Sequence, residues 1–225
     1  MGLPNGLHHI AIATKNVKAQ IEFFTQACGM ELTALYWMHG VEKTFHAFLR
    51  MGDAYVAFVQ GPEMDELDGE IGVSHASWTA GPVAPGVMQH LAFNVDNDEA
   101  LYALRDRLRS HDVWVWGPID HGLCRSMYFT GPEGLMLEFA TSDVPIDGEV
   151  WIDPEVQEMA GINEEELKKY KSPPAFVSKG GEVQNPSIDP TELPMDLPPC
   201  LDLYEMSDDE VFEKLSENTP PVLPK

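Results

Sequence analysis

The sequence predicts an α+β protein made of two paired βαβββ modules that form an open, barrel-like cavity, followed by a proline-rich acidic extension. Three observations predict this: a weak internal repeat within residues 1–143, alternating apolar and small residues at the start of each copy, and a change of composition near residue 143. With 225 residues, 44% of them hydrophobic, the chain has enough apolar material for one ordinary core and an appendage.

The first copy opens with the sequence His9-Ile10-Ala11-Ile12, whose period of two indicates a strand. An amphipathic helix from Val17 to Phe24 follows and ends near Gly29, a residue type that commonly terminates helices. Three further strands are expected at about 30–37, 43–50 and 54–60. This order is one βαβββ module, at about residues 5–60.

The second copy repeats this order at about residues 87–143. Its first strand begins at His90-Leu91-Ala92-Phe93, and a helix is expected over 98–108. Its last three strands are expected at about 112–117, 124–130 and 135–141. The last two strands of the copies align without a gap, with Phe48 to Phe58 matching Phe129 to Phe139.

Residues 144–225 differ from the first domain, 1–143, in composition. They contain 12 of the 18 prolines and 19 acidic against 6 basic side chains. Such a segment has little core of its own, so we expect an irregular extension. Capping residues followed by acidic first turns predict two short helices within it, at 163–170 and 207–215.

The charge balance excludes some classes of partner. The chain has 14 Lys and Arg against 37 Asp and Glu, a net charge of −23, so it lacks the basic surface that neutralises nucleic-acid phosphates. No run of about 20 apolar residues predicts a membrane span, and no leader pattern is found, so we expect a cytoplasmic protein. The three widely spaced cysteines are expected to be reduced thiols.

Three residues at equivalent strand edges have the chemistry of metal ligands: His9, His90 and Glu138. Two imidazoles and one carboxylate are the donor set of the facial triad that binds non-haem Fe(II) and leaves positions free for substrate and dioxygen. A structural alternative is a buried Glu138 paired with a single histidine. Glu138 lies within an apolar strand, where an unpaired charge is costly. Ala57 aligns with Glu138 in the first copy, so three protein ligands are predicted.

These residues and the paired modules resemble the vicinal oxygen chelate superfamily, which includes glyoxalase I, bleomycin-resistance proteins, methylmalonyl-CoA epimerase and type I extradiol dioxygenases. Residues 119–138 are most similar to the signature of the extradiol enzymes: a histidine (His121), an apolar residue and tyrosine (Tyr128), a Pro-x-Gly turn and the glutamate (Glu138). Only Gly131 departs from that signature. The extradiol enzymes also have a histidine about fifteen residues before the second metal histidine, which corresponds to His75 here.

The resemblance implies an Fe(II)-dependent, or alternatively Mn(II)-dependent, extradiol dioxygenase that cleaves a small aromatic diol with O2, as in aromatic hydrocarbon catabolism. His75 is then the acid-base residue, and His121 and Tyr128 hydrogen-bond the substrate. Catechol and hydroquinone cleavage both stay open. A metal-dependent isomerase, epimerase or lyase and a non-catalytic protein that binds a small aromatic molecule are the alternatives. We also expect a homo-oligomer, a dimer or larger.

Overall fold

A computed structural model describes residues 3–189, 191–195, 197 and 203–222. Residues 4–164 form one compact unit, and the described residues from 165 onward, with residue 3, form another. Cys200 lies outside the described residues, whereas Cys28 and Cys124 are free thiols. Burial raises the pKa of the Cys28 thiol to about 12, so this thiol is protonated at neutral pH.

The first module consists of one helix and a four-stranded mixed sheet with the order β1-β4-β3-β2. Its elements are β1 (His9–Ala13), α1 (Val17–Gln26), β2 (Glu31–Trp37), β3 (Phe45–Met51) and β4 (Ala54–Gln60). β1 pairs with β4 in parallel, and the other neighbours are antiparallel. Helix α1 begins where the Asn16 side chain accepts a hydrogen bond from the backbone N–H of Ala19, a standard N-cap. A single turn of helix, α2 (Pro62–Asp65), follows β4.

The second module repeats this topology, with the sheet order β5-β8-β7-β6. Its elements are β5 (Leu91–Val95), α3 (Asp98–Ser110), β6 (Val115–Asp120), β7 (Arg125–Thr130) and β8 (Met136–Thr141). A short 3-10 turn at Pro132–Gly134 joins β7 to β8. The two unclosed sheets and their helices confirm the predicted α+β fold of two βαβββ modules.

The alternation along each strand separates a core face from an open face. Phe58 of β4 and Phe93 of β5 are buried, and both contact Phe24 of α1, with ring centroids 5.1 and 6.1 Å apart. Phe23, beside Phe24, stacks on Phe129 of β7 at 6.4 Å. Helix α1 therefore packs against both modules, and one hydrophobic core continues from the first sheet into the second.

Glu133 joins the two modules by hydrogen bonds. Its carboxylate accepts them from Thr14 Oγ1 at 2.5 Å, the Lys15 backbone N–H at 2.7 Å and Gln20 Nε2 at 2.8 Å. Burial alone would raise the pKa of Glu133, but these hydrogen bonds outweigh it, and the pKa is lowered from its ordinary value. Glu133 has a positive φ of 57°, so the turn between β7 and β8 presents this side chain to the other module.

We expect Glu133→Gln to lower the free energy of unfolding by about 1 kcal/mol at neutral pH, because solvent screens part of this exposed contact. A lowered folded-state pKa contributes stability above the unfolded pKa, and that contribution is lost as pH falls through the folded pKa. The difference between wild type and variant in urea unfolding should therefore be present at pH 7 and smaller at a pH well below the ordinary pKa of a glutamate. An equal difference at both pH values would contradict the role of the ionised carboxylate.

The gap-free alignment predicted for the last two strands of the two modules is wrong by one residue in β7. Ala57 pairs with Phe48 across the β3–β4 hairpin, whereas its equivalent Glu138 pairs with Tyr128, not Phe129. The β3–β4 turn has only Gly52 and Asp53 between its paired ends, while the β7–β8 connection includes a 3-10 turn. This longer connection shifts β7 by one position, and Tyr128 consequently lies directly opposite Glu138.

Beyond the modules, the extension is mostly irregular and includes short helices. These are α4 (Pro154–Met159), α5 (Glu164–Lys171) and α6 (Asp208–Leu215). Helices α5 and α6 lie at the two predicted positions, and α4 was not expected. Ser207 and Glu210 form a capping box at the start of α6. None of the described helices combines the length and apolar composition that a membrane span requires.

Candidate metal centre

The open face of the second sheet carries the candidate site. His90 lies immediately before β5, which pairs in parallel with β8 so that Ala92 is opposite Glu138. On the other side of β8, Tyr128 is the antiparallel partner of Glu138. Glu138 is 5% exposed, and the strand pairing therefore holds a buried carboxylate between a histidine and a tyrosine.

His90 and Glu138 are in direct contact. The Nε2 atom of His90 lies 3.0 Å from Oε2 of Glu138. The other ring nitrogen, Nδ1, is hydrogen-bonded to Oε1 of Gln89, an acceptor, so Nδ1 is the atom that carries the proton. With the proton on Nδ1, the lone pair of Nε2 faces the carboxylate. Two such acceptors meet at this distance only when a proton or a metal cation lies between them.

The pair fits a divalent metal ion. Two ligand bonds of about 2.1 Å at a right angle separate their donor atoms by about 3.0 Å, which is the separation found here. Gln89 orients the imidazole by a hydrogen bond to Nδ1, the ring nitrogen that does not face Glu138. Metal-binding histidines commonly have such a partner on their second ring nitrogen. We did not identify Gln89 in the sequence, although an amide side chain next to a candidate histidine is a usable signal.

His121 and Tyr128 form a second pair beside these residues. His121 Nε2 lies 3.0 Å from the Tyr128 hydroxyl, and the rings of Tyr128 and His90 are 6.3 Å apart in an edge-on arrangement. Burial and the nearby Glu138 charge raise the pKa of Tyr128, although a hydrogen bond with Ser126 partly opposes this. The phenol is thus protonated at neutral pH and is available as a hydrogen-bond donor.

His9 lies on the first module, at the position equivalent to His90. Its Nδ1 atom is 2.8 Å from Nδ1 of His8, and its ring contacts Phe48 at 5.4 Å. In the part of the chain that the structure describes, no three His, Cys, Asp or Glu side chains are grouped as a metal site. The structure therefore brings His90 and Glu138 together but does not add His9 to them. The role of His9 as a ligand stays a prediction.

His75 lies in the loop between the modules. Its Nδ1 atom is hydrogen-bonded with Ser74 Oγ at 2.8 Å, and its ring lies close to Gly69 and Gly134. These contacts place His75 beside the connection between β7 and β8. Its acid-base role rests on the sequence resemblance and also stays a prediction.

A cavity of about 590 Å³ opens on the His9 side of the first sheet. Its floor includes Ala11, Ala13 and Val59, and its wall includes Met38 and Met64. Ala11 and Ala13 follow His9 at a spacing of two, so the cavity and His9 share one face of the sheet. A mostly apolar cavity of this volume fits a small organic molecule.

Histidines near this cavity were not assigned a function from the sequence. His46 of β3 has a buried Nε2 atom that finds no hydrogen-bond partner among the residues that the structure describes. Burial lowers the pKa of His46, and the neighbouring His39 and His9 lower it further. His46 is therefore neutral near pH 7 and contacts Tyr36 and Phe48 as part of an aromatic cluster.

Comparison with known proteins agrees with the fold. A family model described as Glyoxalase/Bleomycin resistance protein/Dioxygenase superfamily matches residues 6–139. A glyoxylase/bleomycin resistance protein/dioxygenase domain from Frankia sp. EAN1pec is 13% identical, with a TM-score of 0.49, and the match covers 63% of this chain and 93% of that one. Lactoylglutathione lyase from Agrobacterium tumefaciens is 16% identical, with a TM-score of 0.44 and coverage of 66% and 98%.

The fosfomycin resistance protein FosX from Listeria monocytogenes is 17% identical, with a TM-score of 0.43, and the match covers 62% of this chain and 94% of that one. No curated protein sequence matches the chain. At these identities and TM-scores, no property of the solved structures is carried over to this chain. The family model, however, covers more than half of the chain, and the protein therefore belongs to the Glyoxalase/Bleomycin resistance protein/Dioxygenase superfamily.

Proposed function

We propose that this protein is an Fe(II)-dependent extradiol dioxygenase that cleaves a small aromatic diol. The observation that carries the proposal is the hydrogen-bonded pair His121–Tyr128 beside the contacting pair His90–Glu138. A carboxylate and an imidazole form part of a facial metal site, and a neighbouring phenol and imidazole are suited to bind the oxygens of a diol. A structural ion pair between His90 and Glu138 would not by itself require the neighbouring pair His121–Tyr128.

His90 and Glu138 would hold the metal, with His9 as the third ligand. When bound, the metal supplies a positive charge that lowers the pKa of a coordinated diol, and it supplies open positions for diol and dioxygen. Mn(II) is the alternative ion for this donor set.

The remaining residues act on the substrate by position and proton transfer. Tyr128 donates a hydrogen bond to a diol oxygen, and His121, 3.0 Å behind it, accepts a proton from the phenol or returns one. The indole ring of Trp116 packs on Tyr128 at 5.8 Å and supplies an apolar surface beside the phenol. His75 is proposed as a further acid-base group.

The experiment that tests this proposal combines metal analysis with oxygen consumption. Protein purified anaerobically is expected to contain about one iron per chain and to consume oxygen when a catechol or hydroquinone is added, with a yellow ring-opened product. The matched controls are the same panel with monomethylated diols, which cannot chelate through two ionised oxygens.

Two other results would contradict the dioxygenase proposal, and each would favour a different alternative. A stoichiometric divalent metal without oxygen consumption would indicate an isomerase, epimerase or lyase. Binding of an aromatic diol by a protein that retains no metal would indicate a binding protein. A cytoplasmic location also stays a prediction, which fractionation of the native host cell would test.

A further inference from the structure

The turn that joins β6 to β7 carries His121 at the surface of the second module. His121 and the next residue, Gly122, are both exposed. The backbone N–H of His121 donates a hydrogen bond to the carbonyl oxygen of Cys124 at 2.9 Å, and Nε2 of His121 lies 3.0 Å from the Tyr128 hydroxyl. A group that transfers protons must be held within about 0.5 Å of its working position, whereas exposed turns open easily. The position of His121 therefore depends on what else supports this turn.

The two strand ends beside the turn are anchored by charged contacts. The Arg125 guanidinium, at the start of β7, forms ion pairs with Asp120 at the end of β6 and with Asp98 of α3. The Asp120 carboxylate also accepts a hydrogen bond from the backbone N–H of Gly122 at 2.8 Å. These contacts fix the base of the turn on the side of α3.

The first part of the extension returns to this turn. β8 ends at Thr141, whose Oγ1 accepts a hydrogen bond from the backbone N–H of Arg125 at 3.0 Å, so the chain leaves the sheet at the end where the turn lies. Ten residues later, Trp151 reaches Gly122. A methyl group on Gly122 would lie 2.9 Å from Cη2 and 3.1 Å from Cζ2 of the indole. Gly122 also has a positive φ of 79°, so both the backbone and the approach of the indole require glycine here.

Local hydrogen bonds fix the backbone on both sides of Trp151. The N–H groups of Val150 and Trp151 donate hydrogen bonds to the carbonyl oxygen of Asp147, at 3.1 and 3.0 Å. The Asp147 carboxylate accepts another from the backbone N–H of Glu149 at 2.9 Å. Two residues after Trp151, Asp153 is the N-cap of α4. Trp151 is 46% exposed, so about half of its surface is covered although it belongs to a mostly irregular segment.

We infer that Trp151 is a positioning residue of the candidate site: its indole holds the turn at Gly122 and thereby keeps His121 against Tyr128. The inference rests on the proposed function, in which His121 and Tyr128 exchange a proton. The edge of an indole that packs on a residue without a side chain restricts the backbone by direct van der Waals contact. The extension then supports the site through this contact and supplies no group that reacts.

Hydrogen exchange of the full-length protein tests the structural part of the inference without metal or substrate. In Trp151→Ala, the backbone amides of residues 121–124 are expected to exchange about 10-fold faster than in wild type, because the turn opens more often. Trp151→Phe keeps an aromatic ring and should stay within about threefold of wild type. Val150→Ala removes an exposed side chain from the neighbouring position and is the matched control, in which the exchange should not change.

Oxygen consumption tests the catalytic part of the inference. Trp151→Ala should retain iron and lower kcat by up to about 100-fold, since a misplacement of about 1 Å can cost this much. In a His121→Phe background the same substitution should lower kcat little further, because the residue that Trp151 positions is already absent. Trp151→Phe should keep most of the wild-type kcat. A merely structural role of Trp151 would lower kcat equally in both backgrounds.

The outcomes separate this inference from the proposed function. Wild-type exchange of residues 121–124 in Trp151→Ala overturns the inference, and so does an equal loss of kcat in both backgrounds. Circular dichroism verifies the fold of each variant, and Trp151→Gln repeats both measurements should the alanine variant not fold. If wild-type protein consumes no oxygen with any diol, the proposed function fails. Faster exchange in Trp151→Ala then still supports the contact that holds the turn, and unchanged exchange overturns that contact as well.

Discussion

Replacing Glu138 by alanine is expected to weaken Fe(II) binding by at least about 100-fold and to abolish oxygen consumption. Changes to residues behind a ligand already cost about 10- to 100-fold in metal affinity, so loss of a ligand costs more. Glu138 is also buried, and its removal takes away the negative charge that contacts His90. Elemental analysis after gel filtration, together with Fe(II) titration under anaerobic conditions, measures the effect.

The control for this substitution is Glu99→Ala, which removes an exposed carboxylate from the first turn of α3. That variant should retain wild-type iron and activity. Full iron occupancy in Glu138→Ala would show that the His90–Glu138 contact is only a structural ion pair, and the metal-site proposal would then be abandoned.

Replacing Tyr128 by phenylalanine is expected to reduce turnover by about 10²- to 10⁴-fold while iron is retained, since positioned proton-transfer groups contribute rate factors of this size. The substitution removes the hydroxyl that lies 3.0 Å from His121 but keeps the ring packed against Trp116. The loss should therefore appear in kcat more than in iron content. Steady-state oxygen consumption and iron analysis on the same preparation separate the two quantities.

Tyr102→Phe is the matched control, because Tyr102 lies on the outer surface of α3 beside Arg105. His121→Phe should reproduce the loss in Tyr128→Phe, and the double variant should lose little more than either single one, since the two residues act as a unit. Wild-type turnover in Tyr128→Phe would contradict the dioxygenase proposal, which rests on the His121–Tyr128 pair.

His75→Phe distinguishes a catalytic loop histidine from a solvated one. If His75 acts as the general acid, the variant should keep iron, and its turnover should fall by a factor in the same range as for Tyr128→Phe. The pH dependence of turnover should also lose one ionisation. Wild-type turnover would show that His75 has no catalytic role and only makes contacts within its loop, where it contacts Ser74 and lies close to Gly134.

Local pattern was sufficient to predict most of the secondary structure. The strand period of two predicted β1 and β5, and Ser207, the capping residue predicted at the start of α6, hydrogen-bonds the first turn of that helix. The pattern was insufficient for the register of β7. That register depends on the backbone of the β7–β8 connection, where Glu133 has a positive φ that no repeat alignment indicates.

The sequence by itself determined the two modules, the strands that carry the histidines and glutamate, and the acidic extension, because strand period, capping and charge are local properties of the chain. Only the tertiary structure decided which ligands meet. Phe23 and Phe24 of α1 make the helix apolar toward two sheets at once, and no local signal specifies which second surface such a helix covers. The parallel pairing of β5 with β8 unites His90 with Glu138 on one open face, and the packing of α1 between the two sheets leaves His9 on another.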